Sequence, residues 1–236
     1  MNPNMLILFI HIPKTGGTSF TQNLQSNCPK LIYYYSMDAV KTSLAIADCF
    51  TGHFPYGFHQ YTTRPYKYVT MLRDPVELTI SMFYYMYKNR NPVLKTYDDK
   101  LSIEEFILSG KFDYYFMNLQ SRYISGQLMT FVPDLKVAKS NLVNHIAFYG
   151  ITELFAESQF LLVEEMGWKL EHYPKLNETP YRKRQSEISQ QTIKAICEKS
   201  KVDILLYKFA LEQMNKKMAS LPPAQKKALQ NYSQNK

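Results

Sequence analysis

Met5 to Ile12 is an almost unbroken apolar run rich in Ile and Leu, without the alternation of a half-exposed strand. That pattern predicts a strand buried on both faces of a parallel sheet. A glycine-containing loop follows, and Thr18 to Ser26 then reads as a helix with Phe20 and Leu24 four apart on one face. Leu31 to Tyr35 fits a short second strand. Val40, Leu44 and Ala47 give Asp38 to Asp48 helical spacing behind an Asp38 or Ser36 cap, and Cys49 to Phe54 is compatible with a strand.

Tyr66 to Leu72 is the clearest later strand. Asp74 as N-cap with Pro75 at the first helical position predicts a helix from there to about Lys88. Further helices are expected at Ile103 to Leu108, Tyr114 to Ile124, Leu135 to Asn144, Glu153 to Met166, Ile188 to Lys199 and Val202 to Met218, with a strand at Ile146 to Ile151. Strands alternate with helices in the first half and helices dominate the second. The order predicts an α/β fold: a central, mostly parallel sheet flanked by helices, with a helix-rich C-terminal half. One domain over residues 1–218 and a basic, polar, solvated tail over 219–236 complete the expected organisation.

Composition sharpens this picture at two points. The 236 residues carry 28 Lys+Arg against 20 Asp+Glu, a formal charge of +8. Five of the excess charges lie after Glu212 and three are Arg182, Lys183 and Arg184, so the remainder is neutral and no protein-wide field suited to nucleic acid is present. The three cysteines, Cys28, Cys49 and Cys197, are odd in number and lack metal spacing, so neither a disulfide framework nor a zinc site is indicated and a reducing compartment fits. The apolar run at the start is far shorter than the roughly 20 residues a membrane span needs.

Two segments carry chemistry. In Pro13-Lys14-Thr15-Gly16-Gly17-Thr18-Ser19, a strand, a loop and a helix start occur in the order that aims backbone N–H groups and a positive helix end at an anion. Lys14 adds a point charge, and Thr18 and Ser19 add hydroxyl donors. The loop differs from a Walker A sequence, in which the lysine follows the second glycine. Arg73-Asp74-Pro75 leaves another strand end: Arg73 suits a bidentate phosphate contact, and Ser81 lies about two turns into the helix. Read singly, the first segment is also a plain strand-to-helix turn and the second a helix cap.

Together these residues resemble the 3′-phosphoadenosine 5′-phosphosulfate (PAPS)-dependent sulfotransferases, in particular the carbohydrate branch with the heparan sulfate and uronyl 2-O-sulfotransferases. The resemblance is strongest over residues 5–25 and 66–87, and weaker through Asn118 to Tyr123, Tyr149 to Glu153 and Asn177 to Arg184. It implies a P-loop-NTPase-like sulfotransferase fold in which Lys14, Thr15, Gly16, Gly17, Thr18 and Ser19 bind the 5′-phosphosulfate. Arg73 and Ser81 would hold the 3′-phosphate, and Arg182, Lys183 and Arg184 would form a loop over the donor or an anionic acceptor. No metal is required, because Lys14 and the amides receive the leaving phosphate.

His53, in Gly52-His53, stands between the two anion segments at a strand end and is the expected base for an acceptor hydroxyl; it also matches the Gly-His position of the branch the chain resembles, with a structural histidine as the alternative. His11, on the strand entering the loop, reads as structural, while His145 and His172 lack supporting context. Glu77 is the competing base, with a helix-start role beside it. Gln120 and Arg122 are expected on the acceptor side. The resulting expectation is a PAPS-dependent carbohydrate O-sulfotransferase yielding adenosine 3′,5′-bisphosphate (PAP), with a carbohydrate acceptor, acidic ones included. Localisation is expected to be cytoplasmic, or the Golgi lumen if the chain is a trimmed form. A non-catalytic nucleotide- or glycan-binding protein and an atypical kinase are the alternatives.

Overall fold

A computed structural model describes residues 4–89, 92, 94, 101–169 and 182–234. Five strands form one sheet: β1 (Leu6–Ile10), β2 (Leu31–Tyr33), β3 (Cys49–Gly52), β4 (Tyr66–Leu72) and β5 (Ile146–Ile151), in the order β2-β3-β1-β4-β5. Every pairing is parallel. All five residues of β1 are buried, as its non-alternating sequence requires of a strand covered on both faces. The central position of β1, with β3 on one side and β4 on the other, is a topological switch point. Loops leaving the carboxyl ends of the strands part there and open a crevice.

The flanking helices are α1 (Gly17–Asn27), α2 (Val40–Ile46), α3 (Pro75–Lys88), α4 (Ile103–Leu108), α5 (Leu119–Ser125), α6 (Leu135–Asn144), α7 (Phe155–Met166), α8 (Gln190–Lys199), α9 (Lys201–Ala219) and α10 (Pro223–Gln234). At α3 the Asp74 carboxylate accepts from Val76 N and Glu77 N, with Pro75 opening the helix as its sequence predicts.

Four expectations are corrected. α2 is capped at Ala39 without a side-chain bond, so neither Asp38 nor Ser36 serves. The helix expected over Tyr114 to Ile124 is broken: a 3₁₀ turn covers Asp113–Tyr115, and α5 starts after Asn118. Asn118 adopts a left-handed φ of 49° and its Oδ1 accepts from Val202 N and Asp203 N. In return Asp203 accepts from Gln120 N and Ser121 N, so the two helix starts cap each other.

The third correction concerns the expected solvated tail. Residues Pro223–Gln234 form α10 against α7, with Tyr232 only 5% exposed and its hydroxyl donating to Gln159 Oε1 at 3.0 Å. The fourth is the chemistry of Cys28 and Cys49. The end of α1 and the start of β3 bring their Cα atoms within 5.8 Å, and the two are joined by a disulfide. A pairing across two elements is invisible in their sequence spacing of 21. Among the described residues, no helix is long and apolar enough to cross a membrane.

Candidate functional site

The crevice at the switch point is a cleft of about 760 Å³ lined by the β1–α1 loop, His11, His53, Arg73, Glu77, Ser81, Tyr85, Thr152, Glu153 and Arg182. Both predicted anion segments and the predicted base therefore meet in one space. The loop turns through two left-handed residues, Lys14 (φ 67°) and Gly16 (φ 79°), the second at the N-cap of α1. No side chain caps α1 and no acidic residue stands in its first turn. Its opening N–H groups have no acceptor within the helix itself, and its positive dipole end meets the cleft. Gly17 is required for another reason: the His11 ring occupies the space a Cβ would take.

The loop is fastened from outside. Thr15 is fully buried and its hydroxyl donates to Ile12 O at 2.8 Å, so this hydroxyl shapes the loop instead of reaching the cleft. Thr152 Oγ1, at the end of β5, lies 2.7 Å from Thr15 O and 2.9 Å from Leu72 O, tying the loop to the end of β4. Arg73 Nη1 donates to Lys14 O at 2.9 Å, which connects the two anion segments directly.

Arg73 is itself clamped. Gln120 Oε1 accepts from Arg73 N and Gln120 Nε2 donates to Arg73 O, both at 2.8 Å. The guanidinium faces Glu77 Oε2 at 3.7 Å and Glu153 Oε1 at 3.9 Å. Glu153 also accepts from Tyr207 OH and Asp74 N, and burial pushes its pKa up. Ser81 is buried in the wall of α3 facing the same cleft. Arg182 forms an ion pair with Glu77, whose carboxylate thus holds two guanidinium groups; this is a positioning environment, not that of a free base.

Cations converge here. Burial, then Arg73 and Arg182, lower the Lys14 pKa to about 8, and its Nζ lies 4.1 Å from the centre of the Tyr85 ring. Burial and Arg182 pull Arg73 below the usual arginine value, opposed by Glu153, Glu77 and Asp74. Lys14, Arg73 and Arg182 thus repel one another across the cleft.

His53 is exposed at the end of β3, and its Nδ1 is 2.7 Å from His11 O. A carbonyl oxygen only accepts, so Nδ1 carries the hydrogen and neutral His53 keeps its lone pair on Nε2. The His11 and His53 rings lie 4.9 Å apart. Burial, with His53 and Lys14 nearby, lowers His11 to about 4, which keeps it neutral near pH 7.

Three expected placements differ. Gln120 and Arg122 are each 1% exposed and neither lines the cleft. Arg122 donates to Leu128 O and Tyr114 O and packs over Tyr114, so it holds α5 to its neighbours. Of the basic cluster only Arg182 enters the cleft; Lys183 is exposed, and Arg184 starts a 3₁₀ turn with its N–H on Glu187 Oε2. His172 lies outside the described residues. Sequence reasoning missed the supporting roles of Thr152, Glu153 and Gln120, for which the only signal was their place in the weaker stretches of resemblance.

Fold and site together define an α/β protein whose switch-point cleft is lined by the glycine-containing β1–α1 loop, by Arg73 and Ser81, and by His53. No family model matches the chain. A Drosophila melanogaster protein named heparin sulfate O-sulfotransferase is 26% identical over 265 aligned positions, covering 93% of this chain and 75% of that one. The resemblance carried by the two anion segments is thus met by a relative aligned along nearly the whole chain. A crystal structure of mouse sulfotransferase SULT7A1 complexed with PAP covers 89% of this chain and 90% of its own, at 9% identity and a TM-score of 0.46.

Proposed function

We propose that the protein is a PAPS-dependent sulfotransferase acting on a carbohydrate hydroxyl. The observation that carries this reading is the meeting of the α1 loop, Arg73 with Ser81, and His53 in one cleft. A donor with a phosphosulfate at one end of its ribose and a 3′-phosphate at the other needs two anion positions. The similarity to the Drosophila sulfotransferase supports the same donor and a glycan acceptor.

In the reaction, the Lys14 ammonium and the first-turn amides of α1 hold the phosphosulfate, with Thr18 and Ser19 at the same helix start. Arg73 and Ser81 take the 3′-phosphate, and Arg182 adds charge beside them. The acceptor oxygen attacks sulfur while its proton passes to His53 Nε2; the bond from sulfur to the bridging phosphate oxygen breaks, and PAP leaves. Charge developing on that oxygen meets Lys14 and the helix end, which lowers the transfer barrier by preorganised electrostatic stabilisation.

Calorimetry with PAP tests the donor site. Tight binding that Arg73→Ala weakens at least 10-fold, with magnesium-ATP failing to compete, is the expected result; about 1.4 kcal/mol corresponds to each factor of ten. Absence of binding, or binding untouched by Arg73→Ala, overturns the reading. The disulfide between Cys28 and Cys49 supports an oxidising compartment over the cytoplasmic expectation. Thiol titration of the unreduced, denatured protein should then find Cys197 alone reactive.

A further inference from the structure

The order of the strands lays the site out as a line. Arg73 follows β4, Lys14 follows β1 and His53 follows β3, with neighbouring strands about 4.8 Å apart. Resting on the proposed transferase reading, the donor occupies the β4 and β1 end of this line. In-line displacement brings the acceptor oxygen in opposite the departing phosphate, which places the acceptor's body on the far side of His53. What lies there is β2, the edge strand.

β2 presents aromatic surface at that point. Tyr33 pairs with Thr51, and Tyr34 N donates to Thr51 O at 2.7 Å, so Tyr35 and His53 each stand two residues beyond this last paired row. Alternation sends Tyr34 to one face, where it packs edge-on against Phe50, Phe54 and Phe58. Tyr33 and Tyr35 share the other face, their ring centres 6.5 Å apart and tilted by 40°. Tyr35 is 88% exposed and Tyr33 39%, whereas Tyr34 is committed to the core. Gln25, in the last turn of α1, donates to Tyr33 OH at 3.4 Å.

We infer that Tyr33 and Tyr35 form the acceptor platform, on which the apolar face of a pyranose ring lies while its hydroxyl reaches His53. Two adjacent exposed rings offer flat apolar area with hydroxyls at the rim, the combination that sugar rings with one C–H face match. The occupant is a glycan residue, not a small phenol or a protein surface.

The test uses PAP-loaded protein and a hexasaccharide of chemically de-O-sulfated, N-sulfated heparin, with binding read by calorimetry and sulfate transfer measured separately. Tyr35→Ala should weaken hexasaccharide binding about 3- to 10-fold, and Tyr33→Ala similarly, while Tyr35→Trp restores it and PAP affinity stays unchanged throughout. Absence of hexasaccharide binding by the wild type, or equal binding by Tyr35→Ala, overturns the platform. So does a change of sedimentation from dimer to monomer in Tyr35→Ala, which would assign this edge to a second copy of the chain. Binding that depends on Tyr35 without any sulfate transfer would keep the platform and remove the transferase reading.

Discussion

Replacing Gln120 by Met, its closest apolar isostere, removes both bonds of the clamp on Arg73 while leaving the volume nearly unchanged. Gln120 is 1% exposed and its two bonds to the Arg73 backbone are each 2.8 Å long. Methionine offers neither a comparable donor nor acceptor, so one backbone N–H and one C=O lose these partners beside a buried side chain. Each such loss costs about 1–3 kcal/mol, giving about 2–6 kcal/mol for the pair. Part of this cost should appear as lower stability in urea unfolding. The rest should appear as donor affinity, because the guanidinium on the same residue holds Lys14 O and, in the proposed reading, takes the 3′-phosphate. With the variant shown to be folded by full binding stoichiometry, calorimetry should give a PAP dissociation constant raised at least about 10-fold. Unchanged stability together with unchanged PAP affinity would refute the clamp.

Three other outcomes follow from the same geometry. Burial and the neighbouring Arg73 and Arg182 bring the Lys14 pKa down to about 8, and a bound anion raises it, so the complex holds more protons than the free protein. PAP affinity should therefore fall as pH rises above about 8, by up to about 10-fold per unit, and Lys14→Met should flatten that slope in a calorimetric pH series. Gly17→Ala places a methyl group where the His11 ring lies, so thermal unfolding should show a loss of about 1–3 kcal/mol. Tyr232→Ala should detach α10 and abolish hydrogen-exchange protection over residues 223–234, with PAP binding retained because Tyr232 packs on α7, away from the cleft-lining residues.

What the chain reveals before folding depends on how local the cause is. The strand at Met5 to Ile12, the loop at Lys14 to Ser19 and the cap at Asp74-Pro75 are governed by neighbours in sequence, and each stands where its pattern indicates. Gln120 and Arg122 show the opposite case. Polar side chains read as surface or site, and only the contact of α5 with the end of β4 and with the Leu128 loop turns them inward as clamps. α10 was hidden for a related reason: Leu229 and Tyr232 are too sparse to announce an apolar face until α7 supplies its other half. The disulfide needed β3 to fold beside the end of α1, and the closeness of His11 to His53 needed β1 to pair with β3.

The central claim is most directly tested by following labelled sulfuryl transfer from PAPS to a panel of glycosaminoglycans with the wild type and His53→Ala. A base held by His11 O on Nδ1 and free to accept on Nε2 should contribute about 10²- to 10⁴-fold to turnover. The account predicts transfer by the wild type, a loss of that size in His53→Ala, and PAP affinity in the variant unchanged. Absence of transfer to every acceptor, or full turnover by His53→Ala, would contradict it.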